Sequence, residues 1–412
     1  MKTALSVLLL CPSLAPAAVV SKTRVASRPA SVVWTAASAD GYHFAWLAVE
    51  GNKEAWLLDG QEVLQGVQGD LTYYHELGRT CEAALSQDGR LAVLRRSPLR
   101  PGMPRTFSVW EDDRFGPEYE EIYELVRSPD GRHLAYAARR DGQWRVVLDG
   151  REQARAFPDY RPHELRISDS GGLEYLAYDG PSMLRVRDGK ILETMPQKNL
   201  ELSADGRHTL FKQTLHGSFR VLIDGKPVGK DYPSVAAPAL APDGKRLAFF
   251  AGPTSDGPFR AIIDGRETGP ELHGIETAGG ARFFFAPGSG QAFWFGRQGG
   301  AWSLFTEGAA EGPYKSISGR PALAFSPSGR HRAYAADTKS AGLQIYVDGA
   351  ATTDAPAPLL QGTGIAFDGE DEYHYFEQEA FGGVFLVCAS RAPKGKAPRC
   401  SAKARRLAEA AR

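Results

Sequence analysis

The chain lacks an excess of either charge: 49 Lys and Arg residues balance 49 Asp and Glu residues over 412 positions. A general binder of nucleic acid or of an anionic membrane surface carries a basic surplus, so neither class fits. Cysteine is scarce, with four residues and no CxxC pair, which excludes a zinc framework and a disulfide-built scaffold. No apolar run approaches the roughly 20 residues that cross a bilayer, so no transmembrane segment is expected. Catalytic signatures are missing too. There is no GxSxG elbow, no EF-type calcium loop and no Gly-rich phosphate loop opening a helix. His75-Glu76-Leu77 and His163-Glu164-Leu165 begin like a zinc-protease motif, but neither continues to HExxH. With Leu272-His273-Gly274 they read as one connector position repeated along the chain. The sequence therefore assigns no catalytic, cofactor-binding or metal-binding residue.

What the chain has is turns, with 45 Gly and 27 Pro. The string Val126-Arg127-Ser128-Pro129-Asp130-Gly131-Arg132-His133-Leu134-Ala135-Tyr136 returns as Leu240-Ala241-Pro242-Asp243-Gly244-Lys245-Arg246-Leu247-Ala248-Phe249. It returns again as Phe325-Ser326-Pro327-Ser328-Gly329-Arg330-His331-Arg332-Ala333-Tyr334. Further copies centre on Asp40-Gly41, Asp88-Gly89 and Asp205-Gly206, with degenerate ones at Ser170-Gly171, Ser289-Gly290 and Asp368-Gly369. This makes about nine units, spaced by roughly 35 to 48 residues.

Most units carry a second turn, as at Leu58-Asp59-Gly60, Leu148-Asp149-Gly150, Arg187-Asp188-Gly189, Ile223-Asp224-Gly225, Ile263-Asp264-Gly265 and Val347-Asp348-Gly349. Asp-Gly between alternating apolar runs is a hairpin signal, because a two-residue type I′ turn needs positive φ at both positions. Each unit thus reads as four antiparallel strands, and the period-2 alternation excludes a helical repeat. One such sheet cannot bury both faces alone. Stacked radially it can, with pairs such as Ala135-Tyr136, Ala248-Phe249, Ala333-Tyr334 and Ala45-Trp46 filling the interfaces. The expected fold is all-β: a single β-propeller of four-stranded blades, eight or nine of them and seven at the fewest.

The Ser-Pro-Asp-Gly-basic-x-aliphatic-Ala-aromatic strings resemble the propeller repeats of TolB and its relatives. The resemblance covers about residues 31–390 and is confined to the propeller. TolB carries an additional N-terminal α/β domain, whereas Val32 already begins a blade here. The resemblance implies the fold; such repeats serve scaffolds, sensors and peptidase regulatory domains alike.

Four segments follow. Residues 1–17 read as a signal peptide, with Lys2, the apolar stretch Ala4–Cys11 and the small-x-small string Ala15-Pro16-Ala17. Lipidation at Cys11 would need a small residue where Leu10 stands. Residues 18–31 are a linker or a ring-closing strand. Residues 32–391 are the propeller, and 392–412 a basic tail in which Ser401 is placed to cap a short helix through Leu407. The last unit shows three good strands, and the segment Thr23-Arg24-Val25-Ala26 is the candidate for its missing outer strand.

Cys388 and Cys400 have two readings: a disulfide tying the tail to the last strand, or Cys388 as a small buried hydrophobe. Cys81 would remain unpaired. Among the tryptophans, Trp144, just after Asp141-Gly142, is the one expected at the surface. The acidic strings Glu118–Glu121 and Asp368–Glu372 are expected as solvated turn faces.

The expectation is an exported, periplasmic or extracellular monomer that binds a protein through one axial face, without nucleic acid or cofactor. The alternative is a propeller hydrolase or lyase acting on carbohydrate or peptidoglycan. A third is a purely structural envelope protein. An enzyme should bring carboxylates, or a His and a Tyr, with shifted pKa values into the central funnel.

Overall fold

The computed structural model describes residues 19–390, together with Cys400 and Leu407, leaving out 30, 68, 76–77, 81, 99–100, 103, 129, 159, 169, 181, 196–199, 203–207, 276–281, 339, 353–357 and 380–381. Residues 1–17, read from the sequence as a signal peptide, together with Cys81 and most of the basic tail, lie outside the described residues.

Nine sheets form nine blades in chain order: 32–67, 83–115, 121–157, 163–195, 200–232, 234–272, 283–314, 316–351 and 365–390. Blades 1 to 7 are four-stranded antiparallel meanders, and blade 8 adds a short fifth strand. The first strand of a blade contacts the first strand of the next along blades 1 to 4, from 6 to 7 and from 8 to 9. These strands make the inner wall, and the fourth strands, mostly exposed, make the rim. The unit at Ser170-Gly171 is a full blade, which settles the count at nine.

The ninth blade joins the two ends of the chain. Its own strands supply Ile365–Phe367, Glu372–Gln378 and Gly383–Ser390, and Val19–Ser27 adds the fourth antiparallel strand. The register runs from Val19 opposite Ser390 to Ser27 opposite Gly383, with Thr23 facing Leu386.

The second turns adopt the geometry their Asp-Gly pairs call for. Asp59 and Gly60 have φ of 51° and 87°, Asp149 and Gly150 of 50° and 74°, and Asp348 and Gly349 of 51° and 81°. Positive φ at both positions is the type I′ hairpin.

The core is divided among the seams between blades. Among the described residues nine apolar clusters are present, and each spans a pair of neighbouring blades, including the seam between blades 9 and 1. Because adjacent strand residues point to opposite faces, each Ala-aromatic pair feeds two seams. Ala135 packs toward blade 4 and Tyr136 toward blade 2. Ala248 packs toward blade 7 and Phe249 toward blade 5. Ala333 and Tyr334 divide in the same way. The small residue of one blade thus leaves room for the ring of the next, and no blade has a core of its own.

Cys388 is bonded to Cys400, with Cα atoms 5.9 Å apart. Cys388, Cys400 and Leu407 are buried in one cluster with Val25, Phe44, Trp46 and Phe376. Cys400 and Leu407 are helical. Trp144 departs from its expected place: it is 7% exposed and sits in the seam between blades 3 and 4. Strand alternation turns it inward even though a hairpin turn precedes it.

Candidate functional site

A four-strand meander puts its first and third turns at one end of the blade. Its middle turn and the connector to the next blade lie at the other end. The ring therefore has a turn face and a connector face, and the two are chemically different.

On the turn face the polar groups are used within the fold. The aspartate of the Asp-Gly pairs at Asp59, Asp149, Asp224 and Asp348 stands in the third turn of its meander and receives a histidine from the first turn of its own blade. Nδ1–Oδ2 distances are 2.7 Å for His43–Asp59 and His133–Asp149, and 2.8 Å for His208–Asp224 and His331–Asp348. In blade 6, Arg246 takes the histidine's place on Asp264 at 2.9 Å. The other carboxylate oxygen accepts a strand amide, such as Leu134 N at 2.9 Å for Asp149. Neighbouring blades are tied as well. Glu370 of blade 9 accepts from Ser328 N at 2.8 Å and from the Ser326 and Ser328 hydroxyls at 3.0 and 2.6 Å. Tyr42 of blade 1 donates to Asp368 of blade 9 and stacks on His374 at 3.9 Å. The string Asp368–Glu372 is therefore a joint between blades, not a solvated cluster.

The connector face is less closed. Its longest described connector, between blades 1 and 2, carries the short hairpin Tyr73–His75 and Gly78–Thr80. Glu54, fully buried, pins this connector by accepting from Leu71 N at 2.7 Å, Thr72 N at 3.0 Å and the Thr72 hydroxyl. Burial alone would raise the Glu54 pKa, but these bonds outweigh it and the net shift is downward.

Glu82 and Glu124, at blades 2 and 3, behave otherwise. Glu82, Glu124 and Glu164 stand four residues before the first-turn serines Ser86, Ser128 and Ser168. In blades 3 and 4 this position is a bulge, with φ of 60° at Glu124 and 55° at Glu164. The bulge turns amides toward the preceding blade, and Leu165 N donates to Glu124 Oε1 at 2.9 Å. Burial pushes the Glu82 carboxyl up to about 7, against the pull of the Glu124 and Leu125 amides. Its Oε2 is buried without a hydrogen-bond partner. Burial raises Glu124 as well and lowers His163. Beside them the Arg161 guanidinium lies 4.3 Å from the Tyr123 ring centre, and Tyr178 stacks on His163 at 5.4 Å. Tyr160, half exposed, meets Tyr178 at 5.2 Å.

Across the ring, a cavity of about 480 Å³ opens between blades 8, 9 and 1. Val33 and Trp34 from the inner strand of blade 1 line it, with Arg320 from blade 8 and Leu359 from the connector into blade 9.

Among the residues flagged from sequence, His163 begins the first strand of blade 4, and His273 pairs its backbone with Arg297. His75 lies in the short hairpin, so the three do not share one connector position. Among the described residues, no three His, Cys, Asp or Glu side chains converge as a metal set. Sequence reading passed over Glu82 and Glu124. Their signal was a recurring acid at a fixed distance before the first-turn serine.

No family model matches the chain, and no curated protein matches it. Solved structures do. A eukaryotic initiation factor superposes with a TM-score of 0.52 at 12% identity, covering 91% of this chain and 94% of that one. TolB from Acinetobacter baumannii gives 0.31 at 14% identity, over 70% and 77% of the two chains. The propeller domain of the Trilobed protease from Pyrococcus furiosus, described as having an open velcro topology, gives 0.33 at 11%, over 81% and 99%. At these identities the similarity is one of fold, and the fold itself, nine four-stranded antiparallel sheets set around a ring, is that of a β-propeller.

Proposed function

We propose that this chain is an exported propeller that binds a protein through its connector face. One observation carries the choice of face. The aspartates and histidines of the turn face are consumed in holding hairpins and blades together. The connector face instead presents an exposed tyrosine, an arginine, carboxyls displaced from their ordinary pKa and an open cavity. Groups held in a costly state, next to a concavity, are what a binding site keeps. The signal-like leader and the Cys388–Cys400 bond support export, since a disulfide persists in an oxidising compartment. Balanced charge supports a protein partner over nucleic acid.

The test is photo-crosslinking in the native envelope from a probe placed at Tyr160, against one at Lys245 on the turn face. A discrete protein adduct from Tyr160 alone supports the reading; adducts from Lys245 alone overturn it. Fractionation of the same cells reports export.

A second reading rests on Glu82 and Glu124. Two carboxyls raised by burial, which share the influence of the Arg161 guanidinium with His163, are groups of the kind an acid–base enzyme uses. Turnover of a glycan panel by the wild type, lost in Glu82→Gln, would favour this reading.

A further inference from the structure

In repeat proteins the insertions of single repeats map to one face, often the binding face. Blade 2 carries such an insertion on the connector face. Its middle turn, between Leu91–Arg96 and Phe107–Glu111, occupies 97–106. Blades 1, 3, 5 and 7 turn in two residues there, at 51–52, 141–142, 216–217 and 299–300. The connector entering blade 2 is the long one described above, and the two segments are tied together. The Asp70 carboxylate of the connector, 3% exposed, accepts from Arg105 of the turn at 2.5 Å, and the Asp70 carbonyl accepts from Arg96 N at 2.7 Å. Arg105 Nε donates to Ser97 O at 2.6 Å, which closes the turn on itself. Pro98, Pro101 and Pro104 are exposed along the turn and restrict its backbone. A surface lobe held this way is ordered before any partner arrives, so binding to it loses little entropy.

We infer that this lobe docks an acidic segment of the protein partner, with a carboxylate of that segment on the Arg96 guanidinium beside Arg105. The inference rests on the binding reading above and names the partner's chemistry. Arg96 Nε is buried without a hydrogen-bond partner. The guanidinium lies over the Phe107 ring, 5.7 Å from its centre, a contact that orients the group and supplies no acceptor oxygen. Burial and the neighbouring Arg105 charge both hold the Arg96 pKa below the ordinary arginine value. Two cations therefore share this corner, and the carboxylate of Asp70 is committed to Arg105. An arriving carboxylate gives the orphaned donor an acceptor and the pair a countercharge, in the charge-assisted geometry that a guanidinium favours. The exposed proline rings on the same turn offer apolar contact to a polypeptide, which a lone anion cannot use.

The experiment is fluorescence anisotropy of the full chain with a fluorescein-labelled hexaglutamate, and with a labelled hexalysine of opposite charge. Hexaglutamate should bind saturably and hexalysine should not. Arg96→Gln should weaken hexaglutamate about tenfold or more, the loss expected when a charge-assisted pair is removed. Arg96→Lys, which keeps the charge without the planar fork, should fall between the two. Lys245→Gln on the turn face should change nothing. Inorganic phosphate at the same concentration of charge should leave most of the hexaglutamate bound. No saturable binding of hexaglutamate, equal binding of hexalysine, or full displacement by phosphate overturns the inference, and these need no variant. Wild-type affinity in Arg96→Gln, or an equal loss in Lys245→Gln, overturns it as well. An adduct at Tyr160 alongside any of these leaves the broader binding reading standing.

Discussion

His133 Nδ1 lies 2.7 Å from Asp149 Oδ2, sixteen residues away, and the same imidazole lies over Gly171 of the next blade. One side chain thus joins two hairpins within a blade and sets the spacing to its neighbour. The relationship repeats. His43 binds Asp59 and lies over Gly89, and Arg246 binds Asp264 and lies over Gly290. A Cβ on Gly89 would stand 2.9 Å from His43 Cε1, at a φ of 80° that L side chains seldom adopt. The turn glycine is therefore fixed twice, by its own backbone and by the blade behind it.

Removing the aspartate should cost stability without opening the ring. Asp149→Ala deprives His133 and the Leu134 amide of their acceptor. The site is partly exposed, so the loss should be about 1 kcal/mol, the lower end for an orphaned polar group. Gly89→Ala should cost more, about 2 kcal/mol, because strain and a clash with His43 add. Urea titration with intrinsic fluorescence measures both; a larger loss for Asp149→Ala than for Gly89→Ala would contradict the two-fold role of the glycine.

The staggered pairs make a second prediction. Phe249 lies in the seam of blades 5 and 6, against Tyr232 at 5.2 Å, and Ala248 lies in the seam of blades 6 and 7. Phe249→Ala should cost about 3–5 kcal/mol and Ala248→Leu about 1–3 kcal/mol. Though adjacent in sequence, they share no seam, so the double variant should be additive within about 0.5 kcal/mol. Strong coupling in a double-mutant cycle would show that the seams are not independent.

The sequence disclosed most of this architecture, because the repeat writes it many times. Asp59-Gly60 and its copies marked their hairpins by residue type alone, and the observed φ values agree. Ser170-Gly171 is degenerate, yet Arg187-Asp188-Gly189 supplied the second turn and the blade is complete. The strand at Val19–Ser27 was legible from a deficit, since a three-stranded last unit needs an outer partner. Trp144 was misread because nearness to a turn says less than strand alternation about which way a side chain points. The His133–Asp149 link was visible as a repeated spacing, but nothing in two residue types far apart says that turns meet. Glu124 was hidden more deeply. Its role comes from a bulge, and φ of 60° at a glutamate leaves no signature in composition. The cavity at Arg320 arises between blades distant in sequence, where only coordinates bring the residues together.

The closing seam should be redox-sensitive in stability. Cys388 and Cys400 lie twelve residues apart, and Cys400 and Leu407 share a buried cluster with Val25 of the closing strand. By the chain-entropy model, closing a loop of this length contributes about 3 kcal/mol. Cys400→Ser, or reduction of the wild type, should therefore lower the urea midpoint, and adding reductant to Cys400→Ser should change nothing further. A midpoint indifferent to both would mean that the closing strand holds without the bond.

Glu82 makes the stability depend on pH in a definite direction. Burial raises its folded pKa to about 7, above the ordinary glutamate value of 4.5. The folded state thus prefers the protonated carboxyl, and its Oε2 is buried with no partner. A raised folded pKa contributes stability that is fully present below about pH 4.5 and is lost as pH rises through about 7. The full shift corresponds to about 3 kcal/mol as an upper bound, reduced by any relaxation around the charge. Glu82→Gln keeps the shape and cannot ionise. Its stability relative to wild type should therefore rise between pH 5 and pH 8, with little difference at pH 4.5. Urea titrations of both proteins at these pH values measure the difference directly. Parallel curves for the two proteins would show that Glu82 ionises in the folded chain as freely as it does in water, and that the carboxyls of this wall are held by their amides rather than strained by burial.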